Sequence, residues 1–202
     1  MPLFPETVTI LAGPGTEIKT ALDLAGKVVD IGRPASGRNA TIRSLLQKLE
    51  VGDDYFGSVR ELEPSTSVSQ LCEGSIDAAI FVVGHPSKLV QNALSECRVM
   101  IAEFTGPRID AVLANSKDYQ RASINLRLYN IQTDPVTSIS VMSTLVTTGD
   151  VGNTIVRDLV DAIKASITEL GRQQPVLRLM AQTIAETDGL GVPMHPMAQG
   201  SP

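Results

Sequence analysis

Tryptophan is absent from this 202-residue chain, and its aromatic set stops at four Phe and three Tyr. Basic residues are also few: 17 Lys and Arg stand against 22 Asp and Glu, giving a net charge of -5, and they form no block. Without a basic stripe, and with little aromatic surface for stacking bases, the footprint of a nucleic-acid binder is missing. No apolar run approaches the roughly 18 to 20 residues that span a bilayer. The opening MPLFPETVTILAGPG lacks a basic segment followed by a long apolar core, so it does not read as a signal peptide. Taken literally this is a cytoplasmic pattern. Yet the chain enters a strand-like run, Thr7 to Leu11, almost at once, as if a preceding part were absent.

Residues that carry chemistry are scarce too. There are two histidines, no G-x-S-x-G, no HExxH and no paired carboxylates at helical spacing beside the turns described below. That favours binding over catalysis, with no enzyme activity and no cofactor expected. Cys72 and Cys97, 25 positions apart, have neither CxxC nor Cys/His spacing, which argues against a metal site. They are either two buried thiols or one disulfide. A bridge closing a loop of this size would contribute roughly 3 to 4 kcal/mol, and the redox compartment decides whether it forms.

What the chain does have is ordinary globular material, 43% hydrophobic and 19% charged, in an alternating order. Strand-like TVTILAG and KVVDIG precede the helical GRNATIRSLLQKLE. Strand-like SVRELE, helical SVSQLCEG, strand-like IDAAIFVVG, helical SKLVQNALSE and strand-like RVMIAEF follow. This βαβα order implies an α/β fold with a mostly parallel sheet covered by helices. After Phe104 the pattern loosens into a short helix and polar, turn-rich chain. A strand candidate, VTSISVMSTLVTT, comes next, then two helices, GNTIVRDLVDAIKASITELGRQ and PVLRLMAQTIAE, and a tail rich in Pro and Gly.

Two turns stand out. In KVVDIGRPASGRNATIRSLL, Gly32 and Gly37 are spaced like the glycines of a phosphate loop, but Arg38 and Asn39 occupy the Lys and Ser/Thr positions and Pro34 removes a donor. A nucleotide is therefore not expected. Ser36 and Gly37 sit where the free N–H groups of a helix N-terminus point outward, a setting that suits a carboxylate, with Arg38 or Arg33 as a charged partner. The plainer alternative is that Ser36 only caps the helix and the arginines are solvated. In IFVVGHPSK, Phe81 to Val83 end a strand, Gly84 turns the chain and His85 precedes a helix, at the same carboxyl edge of the sheet. His85 is read either as a ligand contact or as a turn residue, and His195, in the tail, as structural.

Four ordered blocks carry a resemblance: ALDLAGKVVDIGRPASGRNATIRSLL, LCEGSIDAAIFVVGHPSKLVQNAL, YNIQTDPVTSISVMSTLVTT and GVPMHPMA. Together they resemble the TAXI-type extracytoplasmic solute receptors of TRAP transporters, over the C-terminal two-thirds of those proteins. The resemblance implies a type II periplasmic-binding-protein fold with two α/β lobes, the first incomplete here, as in a fragment or truncated product. Residues 1–22 would be a crossover and a remnant of lobe one, 23–129 lobe two, and 130–202 the return crossover and C-terminal helices of lobe one. Ser36, Gly37, Arg38 and Asn39 would meet the ligand from one turn, and Phe81, Gly84 and His85 from the other. Ala35 stands where the family often has Gly. Cys72 and Cys97 would be an oxidised pair, the location periplasmic or extracytoplasmic, the ligand a small carboxylate such as glutamate or 2-oxoglutarate, and the partner the TRAP membrane permease. The competing expectation is a cytosolic effector domain of a LysR-type regulator.

Overall fold

The computed structural model describes residues 1–184 and 191–198. Seven strands form one open sheet in the order β3-β2-β4-β1-β7-β6, with β5 alongside β1. The strands are β1 (Pro2–Ala12), β2 (Val28–Asp30), β3 (Ser58–Arg60), β4 (Ala78–Val83), β5 (Met100–Ala102), β6 (Gln120–Ile124) and β7 (Val136–Thr144). Helices α1 (Gly37–Lys48), α2 (Pro64–Glu73) and α3 (Lys88–Glu96) connect the strands from β2 to β5, and α4 (Pro107–Asn115) follows β5.

Direct pairing is parallel for β2 with β3 and with β4. β1 is threaded antiparallel between β4 on one side and β5 and β7 on the other, and β6 pairs antiparallel with β7. The sheet is thus mixed where the element order implies mostly parallel pairing. The physical reason is that hydrophobic period reports a strand and its buried face but not its direction. Strands β2 to β5 do share one direction, since β4 and β5 both oppose β1.

Local sequence explains the helix ends. Pro64 and Pro107 open α2 and α4 where a missing N–H costs nothing, and Gly74 closes α2 with φ +74°. Ser87 Oγ accepts from the Val90 N–H at the start of α3. The run AAIFVV of β4 is apolar throughout because both faces are covered. Val8, Ile10 and Ala12 of β1 enter a core with Ile42 and Leu45 of α1, whereas Leu11 enters the opposite core with Leu71 of α2 and Val90 of α3. Cys72 and Cys97 are joined as a disulfide, Cα to Cα 5.3 Å, linking the last turn of α2 to the residue after α3.

Strand β6 lies in the segment expected to be turn-rich. Only Ile124 of its five residues is buried, so an edge strand supported by β7 leaves almost no apolar signal. The C-terminal part forms α5 (Asn153–Gln173), then a 3-10 turn at Pro175–Leu179 and the short α6 (Met180–Thr183). The expected helix PVLRLMAQTIAE is thus a 3-10 turn and one α turn, and its last two residues lie outside the described ones, as do the final four of the chain. A third core joins Val156 and Val160 of α5 to Met1 and Ala198.

Candidate functional site

Strands β3, β2 and β4 end side by side, so three turns share one sheet edge: Ile31 to Ser36 leading to α1, Glu61 to Glu63 leading to α2, and Gly84 to Ser87 leading to α3. In open α/β sheets ligands bind outside the carboxyl ends of the strands. Here the edge is tied together by one buried acid. The Asp30 carboxylate, fully buried, accepts from Arg38 Nη2 at 2.6 Å, from the backbone N–H of Leu62 at 2.8 Å and of Gly32 at 3.2 Å, and from the Ser67 hydroxyl. Donors from two helices and two turns therefore converge on it.

Arg38 answers from the first turn of α1. Its Nε donates to the Ile80 carbonyl at 2.6 Å, Nη1 to Ser67 Oγ at 3.2 Å and Nη2 also to the Asp30 carbonyl at 3.2 Å, while the guanidinium lies 3.9 Å above the Phe81 ring. Burial pulls the guanidinium below its usual pKa, and the Asp30 charge pulls it back. A Cβ at Gly32, where φ is +88°, would stand 2.7 Å from Arg38 Cδ, so glycine here is required both for the turn and for the passage of the Arg38 stem. Both members of the pair are held by hydrogen bonds beyond the pair itself, the condition under which a buried ion pair is tolerated.

The residues expected at the site thus divide. Arg38, Asn39 and Phe81 face inward: the Arg38 side chain is 10% exposed, Phe81 is buried beneath it, and the buried Asn39 amide donates to the Gly32 carbonyl at 2.8 Å and to Glu61 at 3.2 Å. Ser36 Oγ caps α1 by accepting from the Asn39 N–H at 3.1 Å, the capping role of the plainer alternative, but Arg38 is buried and not solvated as that alternative had it. Gly37 is exposed, and the space where its Cβ would stand is open. The N–H groups of Gly37 and Arg38, in the first helical turn, lack an intrahelical acceptor and point from the positive end of the helix dipole. Arg33 pairs with Glu63 at 3.0 Å on the surface.

The second turn is organised around His85. Thr9 Oγ1 donates to the Thr7 carbonyl at 3.1 Å, so toward His85 Nε2, 3.0 Å away, it acts as acceptor. Nε2 then carries the ring proton, and Nδ1 accepts from the Tyr129 hydroxyl, which itself accepts from the Ser87 N–H at 2.9 Å. This chain suits a neutral imidazole, and burial pushes the His85 pKa down to about 4 and that of Tyr129 up to about 12. Gly84 packs against the Phe4 ring and the Val176 side chain, with no room for a Cβ. The two turns therefore differ: the first has an open helix start, the second a closed knot of side chains.

Asp30 and Ser67, the centre of the arrangement, carry no motif. The one sequence signal is an acid that ends an apolar strand, VVD in KVVDIG, where a buried carboxylate requires a partner. Among the described residues no group of three or more His, Cys, Asp or Glu is placed to hold a metal ion, and no helix is long and apolar enough to cross a membrane.

Among solved structures, the chain is similar to the periplasmic aliphatic sulphonate binding protein SsuA of Escherichia coli, with 15% identity, a TM-score of 0.51, and 90% of this chain covering 52% of that one. The alkanesulfonate-binding protein SsuA of Xanthomonas axonopodis pv. citri bound to MOPS matches at 12% identity and TM-score 0.47, 90% of this chain against 54% of that one. An ancestral arginine-binding protein bound to arginine matches at 16% identity and TM-score 0.44, 90% against 61%. The chain spans about half to three-fifths of the length of these proteins, and the likeness to the first shows a shared periplasmic-binding-protein-like fold. The NMT1-like family model matches residues 1–200, and the chain accordingly belongs to the NMT1-like family.

Proposed function

We propose that this chain is the ligand-holding part of an extracytoplasmic solute receptor of the TAXI type, which captures a small carboxylate and presents it to a TRAP permease without making or breaking a bond. The observation that carries the reading is the open start of α1: Gly37 with clear space above it, on a turn locked from beneath by Asp30 and Arg38. A rigid, positively polarised set of N–H donors is the chemistry a carboxylate needs. In this arrangement Ser36 and Gly37 meet the ligand, whereas Arg38, Asn39 and Phe81 position the turn that does so. His85 and Gly84 shape the neighbouring wall.

The fold shared with a sulphonate-binding protein supports capture of a small anion, and the four sequence blocks support the TAXI assignment. The Cys72–Cys97 disulfide supports an oxidising, extracytoplasmic setting. Thermal-shift titration with glutamate and 2-oxoglutarate tests the reading. A ligand present at 100 times its Kd stabilises by about 2.7 kcal/mol. Gly37→Val, which fills the open space above the turn, should abolish the shift while leaving the unliganded melting temperature nearly unchanged. A shift that persists in that variant would remove the α1 turn from the site.

A further inference from the structure

The core beneath α1 is open at the far end of that helix. Leu46 and Leu49, in its last turns, stand with Leu24, Phe56, Phe104 and Ile109 around a cavity of about 370 Å³, to which β4 contributes Ile80. All of these but Leu46 are exposed by 9% or less. Close-packed interiors leave few voids larger than a water molecule, so an opening of this size among core side chains is a shaped space, within the range of small-molecule sites. Leu22, also on its wall, is largely exposed, and the cavity therefore reaches solvent. It shares no residue with the Ser36–Gly37 turn, and Leu46 is roughly 14 Å along the helix from Gly37.

Of the fifteen lining residues only Tyr55, Thr105 and Arg108 carry a polar side chain. The Tyr55 hydroxyl donates to the Leu22 carbonyl at 2.9 Å, and Thr105 Oγ1 to Glu103 at 3.4 Å. Arg108 is less occupied. Its guanidinium donates from Nη1 to the Leu49 carbonyl at 3.3 Å, and among the described residues no acid pairs with it. Burial raises the Tyr55 pKa, Asp23 raises it further and the Arg108 charge lowers it, which puts the guanidinium within electrostatic reach of that hydroxyl. Asp23 itself is taken up by the N–H groups of Lys19 and Thr20, at 3.0 and 2.8 Å.

We propose that this cavity is a second ligand site, separate from the α1 turn, for a medium-chain acyl amphiphile: an apolar chain among Leu24, Leu46, Phe56 and Phe104, with one anionic end at Arg108. Apolar walls accept an apolar body, and a cation with spare donors at the wall accepts a single anionic group. A dicarboxylate or a zwitterion would press a second charge against those walls, which is unfavourable.

Methyl and amide NMR titrations of the chain and of Arg108→Gln with octanoate and with 1-octanol test this, because the two probes share a chain and differ in charge. Octanoate should give saturable shifts centred on the methyl groups of Leu24, Leu46 and Ile109, with the Gly37 amide unmoved. Arg108→Gln should weaken octanoate about fivefold, as expected of one exposed ion pair, and leave 1-octanol unchanged. Arg108 is on the surface, so the variant should keep the fold. No saturable shift at the cavity methyls, or larger shifts at Ile155 and Leu159 of α5 or at Gly37, overturns the cavity as a site. Equal octanoate affinity in parent and variant overturns the anionic ligand. Either failure leaves the carboxylate turn at α1 standing.

Discussion

Ile10 and Ile155 are the same side chain in two settings. Ile10, on β1, is fully buried in the core beneath α1, whereas Ile155, on α5, is 64% exposed. The contrast extends to the regions around them. The centre of the sheet is covered on both faces, and its carboxyl edge is fastened by Asp30, Arg38 and Ser67. On α5 one apolar stripe, Val156 and Val160, is covered, but Ile155 and Leu159 join Leu145, Val146 and Val192 around an open groove of about 630 Å³. A helix buries one stripe against its own chain; the second stripe has no cover among the described residues. A site that must hold donors within a fraction of an ångström belongs on the first region, and that is where the open helix start is found.

The largest expected effect breaks the fastened edge. Arg38→Ala leaves Asp30 buried and without its cation and should cost about 3 to 5 kcal/mol in denaturant unfolding. A loss under about 1 kcal/mol would mean that the sheet edge is no more constrained than an exposed surface, where substitutions cost little. The isoleucine pair sharpens the contrast directly. Ile10→Ala should cost about 2 to 5 kcal/mol and Ile155→Ala less than about 0.5. Similar costs would show that α5 is covered in solution.

Acid offers a third test. Burial lowers the His85 pKa from 6.5 to about 4, so as pH falls the unfolded chain takes up the proton first. The stability this residue contributes is complete above the unfolded value and is lost as pH falls toward the folded one, by on the order of 3 kcal/mol. Denaturant midpoints across that range, for the parent and for His85→Gln, should diverge in slope; parallel curves would contradict a buried neutral imidazole. A smaller gain is expected at Ala35, a non-glycine residue with φ +63°. Ala35→Gly should raise stability by about 1 kcal/mol, through relief of left-handed strain partly offset by the entropy of the unfolded chain.

Much of this fold is legible in the sequence. Strands β1 to β5 and β7, and helices α1 to α3 and α5, follow from apolar period and end signals such as Gly74 and Ser87. β6 is not legible because an edge strand buries one residue, and the antiparallel course of β1 is not because period carries no direction. At the candidate site the turn at Ser36 and Gly37 can be placed from sequence, but the orientation of Arg38 cannot. An arginine at a helix start suits an outside anion and an inside acid equally, and only the burial of Asp30, 8 residues away, decides between them.

The most direct test of the account is an amide-proton NMR titration of the ¹⁵N-labelled chain with L-glutamate. The account predicts saturable shifts centred on the Gly37 and Arg38 amides at the start of α1, with residues around Leu145 and Leu159 unmoved. Saturable binding whose largest shifts fall in the α5 groove, with Gly37 unchanged, would contradict it.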